Sequence, residues 1–136
     1  MSQPADLPVF VNAHQKNALT VRIRSYVETT EFKRELSTMQ KIIPTTDDRF
    51  RIAGFKAYMD GSLGSRTAWM KQPYTDASPG DKNPRGLRSK HANDLDAFAV
   101  DIRWAHDRNL QMAVHAIGDQ ANSEPSNRTC PAFVAR

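Results

Sequence analysis

The chain has 136 residues, with 19 Lys plus Arg against 15 Asp plus Glu and a net charge of +4, one domain's worth of polypeptide with a modest core. No run of about 18 apolar residues occurs, and MSQPADLPVF lacks the basic and long apolar regions of a secretory signal, so membrane spanning is excluded and a cytoplasmic location is expected for the chain as written. The single Cys130 offers neither an intramolecular disulfide nor a thiolate zinc cluster, and the scattered basic residues lack the clustering and interleaved aromatics of a nucleic-acid partner.

Along the chain, Leu19 to Val27 alternates Val21, Ile23 and Val27 against Arg22, Arg24 and Tyr26, the period of a strand. Thr30 to Lys41 carries Phe32, Leu36 and Met39 at helical spacing and ends before Pro44. Arg51 to Asp60 returns to period 2, with Phe55, Ala57 and Met59 opposite Lys56, Tyr58 and Asp60. Between Gly61 and Ala92, three prolines and four glycines break any regular element, so a long loop follows the second strand. Asn93 then caps a predicted helix with Leu95, Phe98, Ala99, Ile102 and Ala105 on one face. Asn109 leads into a third strand, Leu110 to Ile117, with Gln111, Ala113 and His115 opposite Met112, Val114 and Ala116. Residues 118–122 read as the start of another helix. The stretch Ser123 to Arg136 shows no period, so the expected division is residues 1–122 as the folded part and 123–136 as an irregular tail, the product of a truncation or frameshift.

Strand, helix, strand, loop, helix, strand is the order of parallel βαβ units, which gives an α/β class. A βαβ unit needs about 30 residues. His115 lies 59 positions after Lys56, and the surplus is the loop at the carboxyl end of the second strand, where α/β proteins place their sites. In a closed parallel barrel Lys56, Tyr58 and Asp60, and likewise Gln111, Ala113 and His115, line the lumen. The plainer alternative is an open antiparallel sheet with one wet face.

The string from Gly54 through Lys56, Asp60, Gly61, Ser62, Gly64, Ser65 and Arg66 to Met70, then Pro73-Tyr74, Gly86-Leu87 and Gln111 to Asp119, resembles amidohydrolase family 3 from about Leu19 to Asn122. This family comprises metal-dependent hydrolases of the urease-like superfamily, N-substituted formamide deformylases among them. The resemblance implies a partial TIM (β/α)8 barrel of about three parallel strands, with intervening helices and one long loop, covering about strands 3 to 5. It implies hydrolysis of carbon–nitrogen bonds other than peptide bonds by metal-activated water, with a small amide-like substrate and a divalent metal such as zinc.

Lys56 resembles the fourth-strand lysine, carboxylated in many members so that the cation becomes an oxygen ligand; the plain alternative is a salt bridge, for instance to Asp60. His115 resembles the fifth-strand histidine ligand. Asp60, Gly61, Ser62 and Arg66 fall on the loop that would face substrate, and GSLGSR is not a phosphate-binding P-loop. Asp119 is read as a helix cap or as a partner supporting a metal ligand. His14, His91 and His106 lack ligand spacing and read as surface or helix residues.

The family's first-strand His-x-His pair, sixth-strand histidine and eighth-strand aspartate have no counterpart in these 136 residues, and an eight-stranded barrel needs roughly 250. The expectation is therefore a fragment that is inactive alone and self-associates through exposed strand edges. The alternatives are a binding module using Lys82 to Lys90 against an acidic partner and a non-functional remnant.

Overall fold

The computed structural model describes residues 4–28 and 49–124. A 3-10 turn, Pro4–Asp6, leads into helix α1, Leu7–Gln15, which the period of the sequence did not announce. Pro8 sits in its first turn, where a missing N–H leaves no intrahelical bond unmade. Then come strands β1, Ile23–Glu28, and β2, Phe50–Tyr58. Two helices follow the loop, α2, Lys90–Asn93, and α3, Leu95–His106, and strand β3, Gln111–His115, follows them. A helix resumes over residues 119–124.

The three strands form one open parallel sheet in the order β1-β2-β3, so the antiparallel alternative is set aside and the α/β class holds. By contacts the chain divides into two compact units, Met1–Ala57 with Arg108–Ala113 and Tyr58–Asp107 with Val114–Arg136.

In the first unit β1 pairs with β2 from Ile23 opposite Phe50 to Glu28 opposite Lys56. The register slips once: Ser25 faces Ile52 but Tyr26 faces Gly54. Ala53 is the extra residue, and an extra residue reverses the side-chain alternation beyond it. This explains how Phe50 and Phe55, of opposite parity in the sequence, are both fully buried. Phe10 of α1 stacks on Phe50 with centroids 5.7 Å apart, and Leu7, Val27 and Ala57 complete the buried apolar set.

β1 begins at Ile23 rather than at Leu19. Asn17 takes a left-handed conformation, φ 53°, with hydrogen bonds from Asn17 N to His14 O and Ala18 N to Ala13 O. That turn closes α1 and leaves the next residues as a connection, in which Val21 is exposed. The helix expected over Thr30 to Lys41 lies outside the described residues.

In the second unit the strand period persists: Met59 is fully buried. No helix or strand occurs from Met59 to Ser89, the long loop expected. On α3, Phe98, Ile102 and Ala105 are buried and the exposed Val100 lies off that stripe. The cap is Asp94 rather than Asn93: its carboxylate accepts from Ala97 N at 2.9 Å, while Asn93 ends α2.

β3 stops at His115, two residues short of the expected end, because the N–H groups of Ile117 and Gly118 turn to the Asp60 carboxylate. Its residues are also less sharply sorted into two faces than the alternation suggests. Gln111 is exposed and the other four are partly buried. The helix beginning at residue 119 extends through residue 124, past the expected boundary at 122; the rest of the tail lies outside the described residues. Among those described, no helix is long and apolar enough to cross a membrane.

Candidate functional site

Asp60 is the last residue of the period-2 run and its side chain is fully buried. A carboxylate can be held there only if its lone pairs are occupied. They are: Oδ2 accepts from Trp69 N at 2.9 Å and Gly118 N at 2.7 Å, and Oδ1 accepts from Ile117 N at 3.0 Å. One side chain thus ties the end of β2 to the loop and to the turn after β3. Gly118 makes the convergence feasible, since a Cβ there would lie 1.8 Å from Trp69 O. The carboxylate expected to face substrate is spent on backbone.

His115 ends β3 and is partly exposed. Its carbonyl accepts from Met59 N at 2.8 Å. Its Nε2 lies 2.8 Å from Gly61 O and 3.8 Å from Asp60 Oδ1. A carbonyl oxygen only accepts, so the Nε2 that faces it is the donor, which in the neutral ring leaves the lone pair on Nδ1. The Tyr58 ring leans on the imidazole, with centroids 5.3 Å apart at 47°.

The Gly61 to Arg66 segment closes on itself. Gly61 N donates to Thr67 O at 3.0 Å and Ser62 N to Thr67 Oγ1 at 2.9 Å. The Ser62 and Ser65 hydroxyls lie 2.9 Å apart, and Ser65 Oγ lies 2.7 Å from Thr67 Oγ1. Arg66 pairs with Asp81 at 3.1 Å and Asp76 at 3.5 Å and sits 5.5 Å from the Tyr74 ring centroid. Ser62 is exposed at the surface of this turn, whereas the Arg66 charge is already answered by two carboxylates.

Asp119 Oδ1 accepts from Lys71 N at 2.8 Å, joining the start of the last helix to the loop. His91, on α2, is partly buried: Nδ1 is 3.3 Å from Tyr58 O and the ring lies 5.1 Å from that of Phe98. Burial pushes its pKa below the ordinary 6.5, against the weaker opposing pull of the Tyr58 carbonyl and Asp101. Neither the Asp60 cradle nor the His91 contact is visible as a motif; the only sequence sign was an acidic residue continuing the face of a strand into a glycine.

The sequence model of the Amidohydrolase family matches residues 1–130. The chain belongs to the amidohydrolase family. It is 30% identical over 114 residues to Protein LONG AFTER FAR-RED 3 of Arabidopsis thaliana, covering 84% of this chain and 18% of that protein. It is 39% identical over 66 residues to YtcJ of Bacillus subtilis (strain 168), an amidohydrolase by name, covering 48% of this chain and 11% of YtcJ. Two crystal structures of uncharacterised metal-dependent hydrolases are similar at 26% identity. That from Pyrococcus furiosus has a TM-score of 0.76, covering 96% of this chain and 26% of its own; that from Pyrococcus horikoshii OT3 has 0.73, covering 92% and 24%. The chain spans less than a fifth of the curated relatives it matches.

In this amidohydrolase chain, Lys56 lies on β2 opposite Glu28 of β1, partly exposed and in the first unit, whereas Asp60 and His115 belong to the second. The family resemblance calls for a metal ion. The His115 Nδ1 lone pair suits a ligand, but among the described residues no three His, Cys, Asp or Glu side chains come together to hold one. The described residues do not complete a metal site, and no hydrolytic step is assigned to them alone.

Proposed function

We propose that these 136 residues form part of a metal-dependent hydrolase of carbon–nitrogen bonds other than peptide bonds, built on a TIM barrel, with further metal ligands supplied from outside them. On this reading Lys56, carboxylated by CO2, and His115 are each a candidate ligand for a divalent metal such as zinc. When bound, that ion supplies activation of water and polarisation of an amide-like carbonyl. What supports the reading most directly is His115: it sits at the carboxyl end of a parallel strand with Nε2 facing the Gly61 carbonyl at 2.8 Å, an arrangement that leaves Nδ1 the electron-pair nitrogen of the neutral ring.

Two ligand positions do not fix an open tetrahedral centre, so the isolated chain is expected to turn over nothing. Titration of the purified chain with zinc tests this, alongside an assay on N-acyl and formamide substrates. The expected result is weak metal uptake that disappears in His115→Ala, without hydrolysis. Stoichiometric tight binding with turnover, or uptake indifferent to His115, would overturn the reading.

A further inference from the structure

We infer that Asp60 is a positioning residue that, through the adjoining Gly61 carbonyl, fixes the tautomer of His115. The inference takes its functional meaning from the hydrolase reading above, but its physical content concerns only the protein's own groups.

The Asp60 carboxylate does two things at once. Two of its three donors, Ile117 N and Gly118 N, lie two and three residues beyond His115, so the carboxylate sets the direction in which the chain leaves β3. The third, Trp69 N, draws the loop back over the end of β2. Met59 N meanwhile holds the His115 carbonyl. The His115 backbone is thereby anchored on both sides by Met59 and Asp60, the two residues that precede the Gly61 whose carbonyl its ring faces.

That carbonyl is fixed as well, because Gly61 N donates to Thr67 O and Ser62 N to Thr67 Oγ1, immobilising the peptide group between them. Facing it at 2.8 Å, the imidazole must present N–H. The Asp60 Oδ1 atom, 3.8 Å from the same nitrogen, reinforces the preference, since its negative charge attracts a proton-bearing nitrogen and repels a lone pair. Asp60 therefore selects Nδ1 as the electron-pair nitrogen without touching substrate.

Loss of this control has a definite signature. In Asp60→Asn one oxygen becomes an NH2 group, which cannot accept from a backbone N–H. At least one of the three anchors is lost and the charge near Nε2 disappears. His115 is then free to adopt the Nδ1–H form.

The experiment is solid-state NMR on the metal-free chain with labelled histidine and Asp60-Gly61 carbonyl carbons, which reads tautomers whether or not the chain associates. Wild type is expected to show His115 in the Nε2–H form alone, with a dipolar contact from Nε2 to the Gly61 carbonyl carbon. Asp60→Asn is expected to lose that contact and populate the Nδ1–H form. Wild type in the Nδ1–H form, or a folded Asp60→Asn with tautomer and contact unchanged, would overturn the inference. If Asp60→Asn does not fold, dipolar contacts in wild type decide: the Asp60 carboxyl carbon must lie close to the Trp69, Ile117 and Gly118 amide nitrogens, and their absence refutes the proposal. Because no metal is present, an expected tautomer combined with metal uptake indifferent to His115 would sink the hydrolase reading and leave this one standing.

Discussion

The paired strands β1 and β2 and the loop after β2 hold their shapes by different means. The strand pair buries Val27, Phe50, Phe55 and Ala57, apolar side chains whose removal from water stabilises the pleated pair at about 25 cal/mol per Å2. From Met59 to Ser89 there is no regular element, and the loop is organised by polar groups: the Asp60 cradle, the Ser62, Ser65 and Thr67 hydroxyls, and the Arg66 pairs. A segment without a ladder must place each buried backbone N–H individually. A few polar residues therefore carry in the loop what many interchangeable apolar residues carry in the strands.

The sharpest way to break this contrast is Asp60→Ala, which leaves Trp69, Ile117 and Gly118 N–H groups without their acceptor. At about 1–3 kcal/mol for each buried donor, with partial relief by entering water, the expected loss is about 3–6 kcal/mol in denaturant unfolding. A value below about 1 kcal/mol would mean the loop does not depend on the cradle. Phe55→Ala in the strand pair is expected to cost about 3–5 kcal/mol by cavity formation, and Phe55→Leu far less, since apolar volume is interchangeable there. Equal sensitivity to the two Phe55 changes would erase the distinction.

Gly86→Ala sharpens the comparison at one turn. Gly86 has φ 82°, and a Cβ would lie 2.0 Å from Ala68 O, so about 2 kcal/mol is expected from left-handed strain and crowding. Gly64, with nothing near its would-be Cβ, is the control: Gly64→Ala is expected to stay within about 0.5 kcal/mol.

A smaller, pH-dependent effect belongs to His91. Its pKa is lowered by burial in the folded state, so below about 6.5 the unfolded chain binds the proton more readily. Stability from this group is complete above the unfolded value and falls as pH drops through it toward the folded value. His91→Gln removes that part of the slope, as unfolding midpoints between pH 7.5 and 5 would show; an unchanged profile would mean that His91 is not burdened by burial.

Much of the scaffold was legible along the chain. The run Phe55, Ala57, Met59 announces a strand because period 2 is local, and the spacing of Phe98, Ile102 and Ala105 announces a helix for the same reason. The GFKAYMDGSLGSR and VHAIGD strings carried the family resemblance. The Ala53 irregularity was hidden, because a register slip is a relation between two strands. So was the Asp94 cap: Asn93 and Asp94 are both competent, and only the path of the backbone chooses between them. His91 read as a surface or helix residue; its ring meets Phe98 of the next helix and also the Tyr58 carbonyl, 33 positions back in the sequence, which no local pattern announces.

The sequence by itself determined the α/β class, the place of the long loop and the family, since each rests on residue type and short-range order. Only the tertiary structure decided which backbone groups Asp60 holds and which carbonyl the His115 ring faces. Those outcomes depend on backbone N–H and carbonyl groups, which every residue carries alike and which acquire individual roles only when folding brings distant peptides within hydrogen-bonding distance.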